Sequence, residues 1–161
     1  MAKFLKDLSI GNKGQDIFIE KLNDIKDISN IKINKDKLFD ISCDYKNSTY
    51  TFEVKYDLMA TKTGNIAIEY FNPKLNKESG ILATQADFWV TILHNPTEIF
   101  ISPVKILKKF LDNIPPCRII TIGGDNNSSM MLYKKEKILG DCMIKINSFV
   151  DLINVIEDLN A

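Results

Sequence analysis

Asp40, Glu53 and Lys55, with Glu20 upstream, are the side chains of this sequence whose types and spacing suit chemistry. Glu53 and Lys55 are two apart in residues 49–56, where Tyr50, Phe52, Val54 and Tyr56 alternate with Thr51, Glu53 and Lys55. A period of two is that of a strand with one buried face, so Glu53 and Lys55 project to the same side. Asp40 interrupts Leu38, Phe39 and Ile41 in a second candidate strand, residues 37–44, where an unpaired carboxylate is costly. If the two strands pair around the turn Lys46-Asn47-Ser48, Asp40 lies at the end away from that turn and can reach the Glu53–Lys55 patch. Two converging carboxylates offer the oxygen ligands taken by a hard divalent cation, Mg2+ or Mn2+. A lysine beside them could position or deprotonate a water, or stabilise the charge of a phosphorane. Phosphodiester hydrolysis needs this set. A Glu and a Lys two apart on a strand are common on solvated faces. The combination with Asp40, and with a Glu20 set among apolar helix neighbours, carries the reading.

The elements that must hold these residues follow from patterning. Residues 11–23 place Ile17, Phe18, Ile19 and Leu22 largely on one helical face, with Glu20 in their midst. Residues 29–36 are polar and predict a connector. A third strand is expected at 66–71, next to the Glu53 strand and entered from a loop at 60–65. Residues 73–79 are irregular, and 80–86 predict a short helix or turn. The apolar run 87–94 predicts a buried strand. A strand at 98–101 and a helix from Pro103 to about Leu111 follow, stopped by Pro115-Pro116. Strands at 118–122 and 129–133, a loop at 123–128 and a helix at 148–159 complete the chain. Ser148 is a plausible N-cap, with Asp151 as an imperfect capping box. The order predicts one α/β domain (mixed α+β) over residues 1–161, with a central mixed sheet flanked by helices.

Composition sets bounds. Twenty-one Lys and Arg balance 21 Asp and Glu, which excludes a protein that coats nucleic acid through bulk charge, though not one with a local cationic site. Cys43, Cys117 and Cys142 form no CxxC pair, which argues against a disulfide framework or zinc site and suits a reducing compartment. Residues 1–8 lack the apolar core of a signal peptide, and no apolar run approaches a membrane span. A cytoplasmic location without membrane association is expected.

Phe39-Asp40, then thirteen residues on Glu53-Val54-Lys55, preceded by a helix carrying Glu20, resembles the PD-(D/E)XK nuclease superfamily over roughly residues 11–94. Lys77-Glu78-Ser79-Gly80-Ile81 followed by Thr84-Gln85-Ala86-Asp87-Phe88-Trp89 is similar to the segment after the core in phage- and virus-encoded, Holliday-junction-resolvase-like members. Phe39 stands where the motif's usual proline would be, a departure frequent in the superfamily. The resemblance implies a restriction-endonuclease-like core and DNA as substrate. It implies Asp40, Glu53 and the Val54 backbone as metal ligands, Lys55 orienting the attacking water, and Glu20 binding metal directly or through water. A phage or viral origin would place the protein in host-cell cytoplasm.

A structure-selective, junction-resolving endonuclease is the favoured version. A homodimer is expected, because cutting two strands symmetrically needs two sites and so short a chain has no separate recognition domain. Residues 99–111 or the C-terminal helix could form the interface. The balanced charge points to weak DNA affinity or to a partner protein that delivers the enzyme. The alternatives are a restriction- or repair-like nuclease on duplex or single-stranded DNA, and a non-catalytic DNA-binding or assembly subunit of the same fold.

Secondary candidates surround this set. Glu69 could be a further metal or substrate carboxylate, or an exposed strand acid. Gln85 could contact the site or a phosphate, as a glutamine does in some branches of the superfamily. Ser79 and Thr84 could bond phosphate. Lys62, with Lys74 and Lys77, could touch the DNA backbone or simply be solvated. Trp89 is expected in the core and His94 in a structural role. Residues 123–127 lack the lysine and spacing of a phosphate-binding loop and predict a turn.

Overall fold

The computed structural model describes residues 2–36, 38–123 and 127–159, with side chains from residue 8 onward. Lys37, residues 124–126 of the expected turn, and the side chains of the first seven residues considered as a leader lie outside the described residues.

The chain runs α1 (Ala2–Asn23), β1 (Ile28–Ile33), β2 (Ile41–Tyr45), β3 (Ser48–Asp57), α2 (Ala60–Thr63), β4 (Asn65–Asn72), β5 (Lys77–Glu78), α3 (Gly80–Ala83), β6 (Phe88–Leu93), β7 (Glu98–Pro103), α4 (Val104–Asn113), β8 (Arg118–Ile122), β9 (Ser128–Lys134), α5 (Lys135–Cys142), β10 (Ile144–Lys145) and α6 (Phe149–Asp158). A six-stranded sheet has the order β1-β2-β3-β6-β7-β10, and a four-stranded sheet the order β5-β4-β9-β8. The larger sheet is mixed: β3 and β6 are parallel, with Glu53 opposite Trp89 and Lys55 opposite Thr91, while its other pairs are antiparallel. The fold is thus mixed α/β around a mixed central sheet.

The two faces of that sheet build two cores. On one, Phe52 and Val54 of β3 and Phe88, Val90 and Ile92 of β6 meet Phe18 and Leu22 of α1 and Leu152, Val155 and Ile156 of α6. Positions 14, 18 and 22 form one helical stripe: a Cβ on Gly14 would lie 2.8 Å from Tyr56 Cβ, and the Phe18 and Phe52 rings are 5.0 Å apart. On the other face, Trp89, Leu93 and Phe100 pack with Ile66 and Ile68 of β4, Tyr133 of β9, and the buried residues of α4 and α5.

Several expectations are corrected. Residues 29–36 are not merely a connector, because β1 pairs with β2 along Ile28–Ile33. Its register shifts between Ser29 and Lys32, and Asn30 has φ +50°, so the half-buried residues fall three apart and the alternation is hidden. Strand β4 does not neighbour β3. It pairs with β5 and β9 in the second sheet, so a sheet as well as helices covers that face. Residues 60–63 are a helical turn rather than a loop. Helix α5 and strand β10 were not expected; α5 buries only Ile138 and Cys142, too little to mark a helix in sequence. The capping box at Ser148 is complete, with the Ser148 and Asn147 N–H groups donating to Asp151 and the Asp151 N–H to Ser148 Oγ. Among the described residues no helix is long and apolar enough to cross a membrane.

Candidate active site

The β2–β3 hairpin brings Asp40 to Glu53 and Lys55. A two-residue loop joins the strands, with Lys46 at φ +53°, and the register sets Tyr45 against Ser48 and Ile41 against Phe52. One residue before Ile41, the Asp40 N–H donates to the Phe52 carbonyl at 2.9 Å. Asp40 Oδ2 in turn accepts the Val54 N–H at 2.7 Å. The backbone amide between Glu53 and Lys55 therefore fixes the carboxylate of the neighbouring strand.

Glu53 is buried and Lys55 is half-buried. Lys55 Nζ donates to Glu53 Oε1 at 2.6 Å, with side chains 35% and 12% exposed for Lys55 and Glu53. Glu53 Oε2 accepts from Thr84 Oγ1 at 3.1 Å, so each carboxylate oxygen has its own donor. Below the lysine, Nζ sits 5.5 Å from the centre of the Trp89 ring, whose indole N–H donates to Thr91 Oγ1.

The electrostatics follow from burial and proximity. Burial, then the charge of Glu53, pushes the Asp40 carboxyl above its ordinary value, against the opposing pull of Lys55 and the Val54 N–H. For Lys55, burial disfavours the ammonium. The charges of Glu53 and Asp40, the hydrogen bond that Lys55 donates to Glu53 and the charge of Glu69 outweigh it, and the lysine is held above its ordinary value. As the site stands, Lys55 is a cation suited to orienting a water or stabilising anionic charge.

Glu69 belongs to this neighbourhood although its strand lies in the other sheet. It sits where the β4–β9 register breaks, between Glu69 and Phe71, and it is one of the three carboxylates whose charges favour protonated Lys55. Gly80 packs directly on it: φ is +51°, and a Cβ there would run into the Glu69 carbonyl.

Glu20 is placed elsewhere. It is exposed on α1, two residues from both Phe18 and Leu22 and so on the solvent side of a helix that covers the Phe52 face of β3. Glu53 and Lys55 project from the opposite face, and Glu20 is not among the charges that shift Asp40 or Lys55. Thr84 is buried with its hydroxyl turned toward Glu53 rather than presented to solvent. Gln85 is exposed and its backbone N–H donates to the Leu38 carbonyl at 2.8 Å. Ser79 donates its N–H to the Tyr70 carbonyl, while its buried Oγ has no partner among the described residues. Lys62, Lys74 and Lys77 are exposed. Trp89 is fully buried, as expected for core, yet its face also serves the site. His94 is exposed and its Nδ1 lies 2.7 Å from the Tyr56 hydroxyl.

Three interactions were missed from sequence: Thr84 on Glu53, the Trp89 face under Lys55, and Asp57 accepting the Met59 and Ala60 N–H groups at the start of α2. Asp57 continues the Glu53, Lys55 alternation, and that spacing was a usable signal. Among the described residues no group of three or more His, Cys, Asp or Glu side chains is assembled to hold a metal alone. A hard cation here would rest on Asp40 and Glu53 with backbone, water or substrate oxygens. The donor set fits one: all oxygen, with mutually repelling carboxylates and an Asp40 Oδ1 that accepts no hydrogen bond among the described residues. No protein-family model matches the chain, and neither a curated protein nor a solved structure does.

Proposed function

We propose that the chain is a metal-dependent DNA endonuclease of the PD-(D/E)XK type, with a restriction-endonuclease-like core and Asp40, Glu53 and Lys55 as its working residues. The observation that supports it most is the fixing of Asp40 by the Val54 amide at 2.7 Å, which joins two carboxylates and a lysine on one patch. Bound Mg2+ or Mn2+ would supply Lewis acidity to a scissile phosphate and to a water. Asp40 and Glu53 would hold the cation. Lys55 would orient the water and face the charge that develops as the new P–O bond forms and the bond to the departing sugar oxygen breaks. Glu69 would add negative charge near Lys55 and help Glu53 and Asp40 keep it protonated. The substrate class we favour is branched DNA, cut by a homodimer in the cytoplasm of the producing cell or of a phage or viral host. With balanced overall charge, a partner would help deliver the enzyme.

The test is cleavage of labelled four-way junction, linear duplex, single strand and flap DNA by the purified chain, with Mg2+, Mn2+ or EDTA. Asp40→Ala and Lys55→Ala run alongside, and light scattering gives the oligomeric state. Metal-dependent cutting abolished by both substitutions supports the reading, and the preferred substrate selects the version. A second reading, a DNA-binding subunit that keeps the fold without cutting, draws support from the ion pair that satisfies Lys55 within the site. DNA binding with no cleavage under either metal would select it.

A further inference from the structure

We propose that Thr84 is a positioning residue for Glu53: its hydroxyl sets the plane of the carboxylate and ties it to residues 84–87, which hold the segment before Asp40 through the Gln85 N–H. The proposal rests on the nuclease reading and assigns Thr84 a role other than contact with phosphate.

The geometry is specific. Thr84 Oγ1 lies 3.1 Å from Glu53 Oε2 and 3.3 Å from the Leu38 carbonyl oxygen, and it accepts the Ala86 N–H at 3.2 Å. A hydroxyl has one proton, so it can donate to Glu53 or to Leu38 but not fully to both. The carboxylate is the charged and nearer acceptor and wins the proton. Glu53 is then held at both oxygens, by Lys55 on Oε1 and Thr84 on Oε2. The last torsion of a glutamate is otherwise broad, and two donors on different oxygens remove that freedom.

The segment around Thr84 is anchored on both sides of the site. Gln85 N–H donates to the Leu38 carbonyl at 2.8 Å, two residues before Asp40. Asp87 N–H donates to the Thr51 carbonyl at 3.0 Å, two residues before Glu53, and Asp87 Oδ2 accepts from the Thr51 N–H and hydroxyl. Residues 84–87 therefore clamp the approaches to both carboxylates, and the Thr84 hydroxyl is the clamp's side-chain contact with Glu53 itself. A mere helix-capping role does not explain it. The bond that ends α3 is made by the Thr84 backbone N–H to the Gly80 carbonyl and leaves the hydroxyl out. The hydroxyl is turned inward, with Thr84 only 8% exposed, and its charged partner is Glu53 rather than solvent.

The experiment compares full-length wild type with Thr84→Val, Thr84→Ala and Thr84→Ser, each checked by circular dichroism and thermal melting. Two readouts are taken: the affinity for Mn2+ alone by calorimetry, and the Mg2+ concentration giving half-maximal cleavage of the best DNA substrate. Loss of a partner that orients a metal ligand weakens affinity by about 10-fold or more. Thr84→Val and Thr84→Ala are expected to raise the Mn2+ Kd and the half-maximal Mg2+ by that factor, with the cleavage deficit shrinking as Mg2+ is raised. Thr84→Ser keeps the hydroxyl and is expected to restore both. Wild-type Mn2+ affinity in a folded Thr84→Val or Thr84→Ala chain overturns the proposal, as does a Thr84→Ser chain no better than either. If only Thr84→Ser folds, the hydroxyl serves the fold rather than the carboxylate, and the proposal falls. A wild type that neither binds Mn2+ nor cuts DNA would instead sink the nuclease reading itself.

Discussion

The Val54 N–H donates to Asp40 Oδ2 at 2.7 Å, so the residue between Glu53 and Lys55 on one strand holds the carboxylate of the other. A hydrogen bond to the charged form lowers a carboxyl's proton affinity, yet here burial and the Glu53 charge together raise it. The ionised form of Asp40 is therefore under strain from its surroundings even with the Lys55 ammonium beside it.

That strain has a sign. With the folded value above the unfolded one, the folded chain binds more protons between the two, and stability falls as pH rises through that window. Above the window, ionised Asp40 is a standing cost. Below the unfolded value the effect vanishes. Asp40→Asn, which can still accept the Val54 N–H, is expected to melt at a higher temperature than wild type at neutral pH without metal, the two curves converging in acid. A divalent cation should reverse the order. A ligand at 100 times its Kd stabilises by about 2.7 kcal/mol, or about 5–10 °C in a chain this long. Wild type should gain this on addition of Mg2+ or Mn2+ and Asp40→Asn should not. Equal metal-induced shifts in the two proteins would remove Asp40 from the metal site.

Lys55 separates charge from shape. Held protonated by Glu53, Asp40 and Glu69, it is expected to act as a cation rather than a base. Lys55→Met keeps the stem over Trp89 and loses the charge, and should lower kcat on the preferred DNA by about 10²–10³. Metal affinity should change little or improve, because the competing ammonium is gone from Glu53. The variant's cleavage and Mn2+ titrations check both points. A purely structural lysine would leave kcat intact.

Glu20 tests which reading of α1 is right. The stripe at 14, 18 and 22 turns Glu20 to solvent, on a helix that covers the other face of β3. Glu20→Gln is expected to alter stability by no more than about 0.5 kcal/mol and to cut DNA at the wild-type rate. A fall in kcat by a factor of ten or more, with normal melting, would mean that this carboxylate reaches the site after all.

The legible parts of this molecule are those with regular periods. The alternation through Phe52, Glu53, Val54 and Lys55 fixed which side chains share a face, and the apolar run at 88–93 announced the buried β6. The site's local half could thus be read from spacing. What could not be read depends on contacts between distant segments. Nothing in Ile66 and Ile68 says that β4 joins β9 rather than β3, because a buried face looks alike in either sheet. Glu20 sits among Ile17, Phe18, Ile19 and Leu22, yet a helix is apolar around only part of its girth, and two positions from a core residue is nearly its far side. Thr84 is 31 residues from Glu53, and no local pattern marks a hydroxyl that meets a carboxylate across such a distance.

Gly80 carries the last prediction, because it couples the second sheet to the site. Its backbone is left-handed, at φ +51°, and a Cβ would strike the Glu69 carbonyl oxygen and carbon, which are main-chain atoms that cannot swing aside. A left-handed conformation alone costs a non-glycine residue about 1–2 kcal/mol, and the clash adds to it. Gly80→Ala should therefore lower stability by about 2 kcal/mol or more, a fall of several degrees in melting temperature. The damage should not stay local. Relieving the clash moves α3 off β4, and α3 ends at the Thr84 that holds Glu53. Activity of the folded fraction should drop together with metal affinity, and excess Mg2+ should recover part of it. Replacing exposed Ala83 with Gly in the same short helix gives a control that loosens α3 without the collision. If Gly80→Ala melts as wild type does, the close approach to Glu69 is not a constraint on the fold. If it melts lower but binds Mn2+ normally, the link from β4 through α3 to Glu53 is absent.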